Sequence, residues 1–253
     1  MADARSAAPD SGDSPEQRAR RMEALARLSG GIAHDLNNFL TVISGYTELA
    51  LGRLPETDPL ARPLREVRKA GEDAAAFSKR LMAIGGRQQA TPQSVDLGEV
   101  LAAAEPRLRE AAGPGVRIGF VREPGLGRVN VDPALIEQAV SHLAANARDA
   151  MPAGGDLSIE TANADLSEEA VRALPGLRPG PHVRLRVRDA GEGMDAATLA
   201  RAFEPYFTTR PKGKGKGLGL AMAWGIVRQS GGAISAASEP GRGTTVDIHL
   251  PRA

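Results

Sequence analysis

From Leu25 to Ala50 the apolar residues Leu25, Leu28, Ile32, Leu36, Phe39, Ile43, Tyr46 and Ala50 recur at steps of three and four. At about 100° per residue they form one stripe roughly 80° wide, a pattern that fits an amphipathic α-helix. The helix is read over 16–54 and ends at Pro55 in PETDP. A second helix is read over 60–88, with Leu64, Val67, Phe77, Leu81 and Ile84 as its apolar residues. Two antiparallel helices cannot bury two such stripes by themselves. The expected product is a homodimeric four-helix bundle made of two hairpins.

Beyond ATPQS at 90–94, read as a linker, strand and helix patterns alternate. VRIGFV near 116 and GRVNV near 127 read as strands, followed by a helix that Asp132 caps and Pro133 opens. DLSIETA near 156 and HVRLRVRD near 182 are further strands. A helix over 218–230 stops at Gly231 and Gly232, before the closing strands AISAAS and TTVDIHL. The segment 165–181 reads as an insertion loop. The predicted class is α+β: a disordered tail over 1–15, a helical dimerisation domain over 16–90, and an α/β sandwich over 95–253.

Composition narrows the setting. A chain of 253 residues with 42% hydrophobic content can build two domains with real cores. No cysteine means no disulfide, which fits a reducing compartment, and a cytoplasmic location is expected. No apolar run approaches the ~20 residues of a membrane span. A net charge of +1 exerts no overall pull toward nucleic acid. Of 32 basic residues only five are lysine, and three of those are Lys212, Lys214 and Lys216.

Five short motifs carry the chemistry: HDLNN at 34–38, NARDAM from Asn146, DAGEGM from Asp189, FEPYFTTR from Phe203 and GKGLGLA from Gly215. His34 lies about 160° around its helix from the centre of the apolar stripe, so its ring should point to solvent. A neutral imidazole is a usable nucleophile near pH 7, and Asp35 beside it can hold the other ring nitrogen and steady the charge that develops on attack. Asn38, one turn on, can orient a water; the plain alternative is solvated polar surface. Asn146, a mid-helix amide, offers an oxygen to a hard cation such as Mg²⁺. Asp189 can accept the exocyclic amine of adenine and would repel the oxygen of guanine. Gly191 and Gly193 let backbone approach the base. Gly215, Gly217, Leu218 and Gly219 precede a helix N-terminus suited to phosphate, and Asp149 is counted with the nucleotide contacts. Lys212, Lys214 and Lys216 read as a cationic lid over a triphosphate.

In that order the motifs resemble the histidine kinases of two-component signalling, over residues from about 20 to 250. The resemblance implies an ATP-binding domain of the Bergerat type, with Asn146 as Mg²⁺ ligand in the asparagine box. It implies that His34 is autophosphorylated and passes the group to an aspartate on a response regulator receiver domain. An acidic residue followed three positions later by Asn, as in Asp35 and Asn38, is tied in that family to dephosphorylation of the regulator. FEPYFTTR resembles the phenylalanine box that anchors the lid, and SEPGRGTT at 238–245 the last glycine box. Two positions depart from the pattern. His142 stands where the family usually has Asn and gyrase-type ATPases have Glu; it is kept as a second metal candidate, and without a carboxylate there wasteful hydrolysis should be slow. Lys216 stands where Thr is usual. With no sensor domain in view, regulation is expected from a separate protein or from the N-terminal tail. The alternatives are a histidine phosphotransferase or phosphatase that has lost ATP turnover, a gyrase- or MutL-type ATP-driven clamp, and a dimeric scaffold with a vestigial site.

Overall fold

The computed structural model describes residues 15–86, 88–211 and 215–253. The tail expected over 1–15 therefore lies, up to residue 14, outside the described residues. Helix α1 (Pro15–Leu51) and helix α2 (Ala61–Ile84) form the expected hairpin, each a few residues shorter than its pattern suggested. Their contact, however, uses a different face of α1. Met22, Ala26, Ala33, Leu40 and Thr47 are buried, four of them at seven-residue spacing, while Phe39 stays 66% and Tyr46 72% exposed. Small residues set this seam. A side chain on Gly85 would stand 2.8 Å from the Gly30 Cα, and the buried Ser78 Oγ donates to the Ala33 carbonyl at 2.8 Å. The large apolar stripe is thus left for something outside the chain.

The remainder is a sheet with helices on one face. The elements are β1 (Gln93–Asp96), α3 (Leu97–Ala112), β2 (Val116–Arg122), β3 (Arg128–Val131), α4 (Pro133–Ala150), β4 (Gly155–Leu166), α5 (Glu168–Arg172), β5 (Gly180–Asp189), α6 (Ala196–Arg201), α7 (Gly219–Gln229), β6 (Ala233–Ser238) and β7 (Thr244–Pro251). Five strands run in the order β2-β4-β5-β7-β6, parallel only between β2 and β4; β1 and β3 form a separate antiparallel pair. In HVRLRVRD the alternation decides the faces: Val183, Leu185 and Val187 are buried in the core, and Arg186 on the other face forms a bidentate pair with Asp247. Asp132 caps α4 by accepting from the backbone N–H groups of Ala134 and Leu135.

Two readings change. The stretch at 90–94 is not all linker, because β1 begins at Gln93 and pairs with β3. The insertion at 165–181 is not structureless either. It contains α5, and Leu166, Leu174 and Ala233 form a small core with Val171 and Leu177 packed against it. Its Pro175 carbonyl accepts from Arg228 at 2.6 Å, and that guanidinium also donates to Glu23 of α1 at 2.8 Å.

The two parts of the chain meet along α7. Leu218, Ala221, Met222 and Trp224 share a core with Met22, Ala26, Ala33, Leu81 and Ile84 of the hairpin. Gly225 makes the closest approach, since a Cβ there would overlap the Ala83 carbonyl oxygen, which is backbone and cannot yield. Gly225→Ala is expected to undock the hairpin at a cost of about 1–3 kcal/mol while leaving the sheet intact. Hydrogen exchange should then rise over 81–86 and remain low in β4, β5 and β7.

Candidate functional site

His34 is at the middle of α1, with 69% of its side chain open to solvent, and its Nδ1 is 3.2 Å from the Asp35 Oδ1. With the proton on Nδ1 donated to that carboxylate, the lone pair remains on Nε2 in an accessible ring. Asn38 is exposed on the same helix. The predicted trio is thus gathered on one helix and exposed, with the His34 Nδ1 and the Asp35 carboxylate paired.

The second cluster forms where α4, the end of β5 and the start of α7 converge. Asn146 is half-buried on α4, directly against the α7 N-terminus: a Cβ on Gly219 would lie 2.8 Å from the Asn146 Oδ1 and 3.0 Å from its Nδ2. The amide therefore shares its place with the free N–H groups of α7, an arrangement suited to anionic oxygen. At the end of β5, the Asp189 Oδ1 accepts from the N–H of Gly191 at 2.9 Å and of Thr244 at 3.2 Å. Among the described residues its Oδ2 has no partner. Burial, only partly opposed by those two bonds, pushes the Asp189 carboxyl above the ordinary aspartate range.

The glycines act first on the protein itself. Gly193, at φ 68°, lies where a side chain would overlap the Glu239 carbonyl, and Gly243, at φ 78°, where one would overlap the Asp189 carbonyl. DAGEGM and SEPGRGTT consequently interlock, joined by Gly241 N–H to the Glu192 carbonyl at 2.7 Å and Met194 N–H to the Ser238 Oγ at 2.8 Å. A Cβ on Gly191 would meet the Ala150 carbonyl at 2.7 Å, so its smallness serves the joint between β5 and α4. Thr244 was missed in the sequence because its contribution is a backbone N–H, which any residue but proline carries.

The predicted lid is only partly in view. Lys212 and Lys214 lie outside the described residues; Lys216 is exposed. The loop is pinned at both ends: Tyr206 N–H donates to the Gly217 carbonyl at 2.8 Å, and a Cβ on Gly215 would stand 3.2 Å from the Arg210 Cδ. Arg210 pairs with Asp149, which Arg148 also holds at 2.9 Å. Asp149 is thus paired with two arginines in this structure. Its carboxylate ties the lid to α4, one turn past Asn146. The Leu218 side chain is buried in the core shared with the hairpin, so its backbone is the part open to a ligand. Phe203 packs against that same core, and Phe207 lies under the Arg201 guanidinium at 4.2 Å.

His142 lies one turn before Asn146 on α4; its Nε2 is buried without a hydrogen-bond partner, and burial pushes the imidazole below its usual pKa, toward the neutral form. Among the described residues no group of three or more His, Asp or Glu could hold a metal ion. The donors present, one amide oxygen beside free backbone N–H groups, fit Mg²⁺ arriving with a triphosphate that supplies most of its oxygens.

Residues 131–253 match the family described as histidine kinase-, DNA gyrase B-, and HSP90-like ATPase. Over 233 residues the chain is 38% identical to the sensor kinase CckA of Brucella abortus (strain 2308), covering 92% of this chain and 25% of that protein. It is 31% identical over 235 residues to the sensor histidine kinase ZraS of Klebsiella oxytoca, covering 92% of this chain and 47% of that one. The chain thus spans a quarter to a half of the curated relatives it matches. Its fold is also that of full-length ShkA, crystallised with AMPPNP, at a TM-score of 0.58 and 22% identity, over 95% of this chain and 46% of that one. Relatives named as sensor kinases do not favour a phosphotransferase or phosphatase without ATP turnover, or a gyrase- or MutL-type clamp.

The charge on Asp189 leads to opposed effects. Its raised folded-state pKa means the folded protein holds that proton more readily than the unfolded chain, so the contribution of this one group to stability is fully present below its unfolded pKa and is lost as pH rises through the folded value. Asp189→Asn retains the Oδ1 acceptor and removes the charge. At neutral pH the unliganded variant should melt no lower than wild type, while calorimetry should find adenine-nucleotide affinity reduced about 10- to 100-fold.

Proposed function

We propose, for a chain that belongs to the sensor histidine kinases and carries their ATPase domain at residues 131–253, that His34 takes the terminal phosphoryl group of ATP and passes it to an aspartate of a response regulator. The observation that carries this reading is an exposed imidazole, its Nδ1 held by Asp35 at 3.2 Å, on a hairpin that docks the ATPase domain through α7. His34 Nε2 attacks the γ-phosphorus; an N–P bond forms as the bond to the bridging oxygen breaks, and that oxygen leaves with ADP. Asp35 steadies the imidazolium produced, as a carboxylate does for a histidine whose other nitrogen reacts. Transfer of this kind needs positioning and charge neutralisation more than covalent help.

Asn146 and the α7 N-terminus are the groups that would face the phosphates. Mg²⁺, held by the Asn146 oxygen and the phosphates themselves, would neutralise charge there. The Asp189 Oδ2 is the acceptor offered to the adenine amine, an oxygen that guanine would repel. Lys212, Lys214 and Lys216 supply cations on the loop. Asn38, one turn past His34, is the group to orient water for removing phosphate from the regulator.

A second copy of the chain is the proposed cover for the hairpin. Leu28, Ile32, Phe39, Ile43 and Tyr46 are exposed on α1, with Leu60 just before α2 and Val67 on it. At about 1.5–3 kcal/mol per large apolar side chain fully buried, pairing two hairpins supplies a strong drive to dimerise. Among the described residues no helix is long and apolar enough to cross a membrane, and cytoplasmic action beside a receiver domain fits the absence of cysteine.

Incubation with γ-labelled ATP tests the reading. Wild type should acquire an acid-labile phosphoryl group; His34→Ala and Asn146→Ala should not, and Asp35→Asn should slow labelling about 10- to 100-fold. Label persisting in His34→Ala would overturn the assignment.

A further inference from the structure

We propose that Tyr206 is a positioning residue for the transfer to His34, its ring seating the rim of the nucleotide site on Phe77 of α2. This rests on the kinase reading and adds a residue and a contact to it.

Among the described residues Tyr206 is the only non-glycine with positive φ, at 66°. Side chains avoid that region, and such conformations persist where the surroundings impose them, often at working sites. Here the imposing contact is the bond from Tyr206 N–H to the Gly217 carbonyl at 2.8 Å, which joins the two ends of the lid loop. The side chain leaves the loop outward, and its ring lies 6.4 Å from the Phe77 ring, tilted by 32°. That is the spacing of an interacting aromatic pair. The Tyr206 hydroxyl has no hydrogen-bond partner among the described residues, so the ring carries the contact.

The level at which it touches the hairpin matters most. Ser78 follows Phe77 and donates its buried hydroxyl to the carbonyl of Ala33, the residue before His34. The α2 backbone at Phe77 is therefore braced to α1 beside the phosphoacceptor. The same segment meets α1 as well, where Glu204 pairs with Arg21 at 3.3 Å, so the box contacts both helices of one hairpin. Through its bond to the Gly217 carbonyl Tyr206 is joined to the stretch that ends at Gly219, against the Asn146 amide. Tyr206 consequently sits on a short connected path from the phosphate-facing groups to the height of His34. Neither ring belongs to the nucleotide cluster, and both remain part-exposed, Tyr206 at 51% and Phe77 at 37%.

Tyr206→Gly separates backbone from ring, because glycine adopts the left-handed conformation freely. It should bind ATP within about 3-fold of wild type by calorimetry yet autophosphorylate at saturating ATP about 10- to 100-fold more slowly, the scale of a misplaced reactant. Tyr206→Phe should restore the wild-type rate. Phe77→Ala should show the same slowing with unchanged ATP affinity, and the double variant should be no slower than either single one. A wild-type rate in Tyr206→Gly, a loss wholly explained by weaker ATP binding, or additive effects of the two substitutions would overturn the proposal. Wild-type protein that never labels His34 would instead defeat the kinase reading, and this proposal with it.

Discussion

The packing of α7 is what the rest of the structure depends on. Every residue from Ala221 to Val227 is buried, which is unusual for a helix of only 11 residues. One side, with Ala223, Ile226 and Val227, belongs to the core under the sheet; the other, with Ala221, Met222 and Trp224, belongs to the core shared with the hairpin. A helix apolar all round has to be covered all round, and this one cannot be satisfied by either part alone. Its N-terminus lies beside Asn146, at the end proposed to face phosphate. Docking and the proposed nucleotide site therefore share the same few residues, and a shift of α7 against α2 would be felt at both.

Electrostatics at the site follow from what each group is allowed to keep. Asp189 sacrifices hydration to present one oxygen outward, and the two backbone N–H groups on its other oxygen recover only part of the loss. His142, without a partner, stays neutral. Asp149 is paired with Arg148 and Arg210 and so ties the segment at Arg210 to α4.

Much of this was legible in local pattern. The Asp132–Pro133 cap, the alternation in HVRLRVRD and the glycine turns each rest on interactions within a few residues, so spacing reveals them. The exposure of His34 was readable for the same reason. The α1 stripe was read correctly as an apolar face, but its partner was not α2, whose contact runs along the smaller residues Ala26, Gly30 and Ala33. Small residues give no periodic apolar signal, although they permit the closest helix approach. The α5 insertion, its grip on Arg228, and the strand β1 were hidden because each is stabilised by residues tens of positions away.

The sequence alone therefore determined the parts: two amphipathic helices, a nucleophile with a neighbouring carboxylate, and an ordered set of nucleotide turns. Helical periodicity, strand alternation and turn chemistry are short-range, and no later folding event alters them. Tertiary structure alone decided which contacts each side chain makes within the protein. Asp149 is paired with two arginines, the Leu218 side chain lies in the shared core, Thr244 and Tyr206 make contacts that spacing does not show, and the large apolar stripe stays uncovered. Those outcomes depend on burial and on contacts between distant segments, which exist only once the chain has closed on itself.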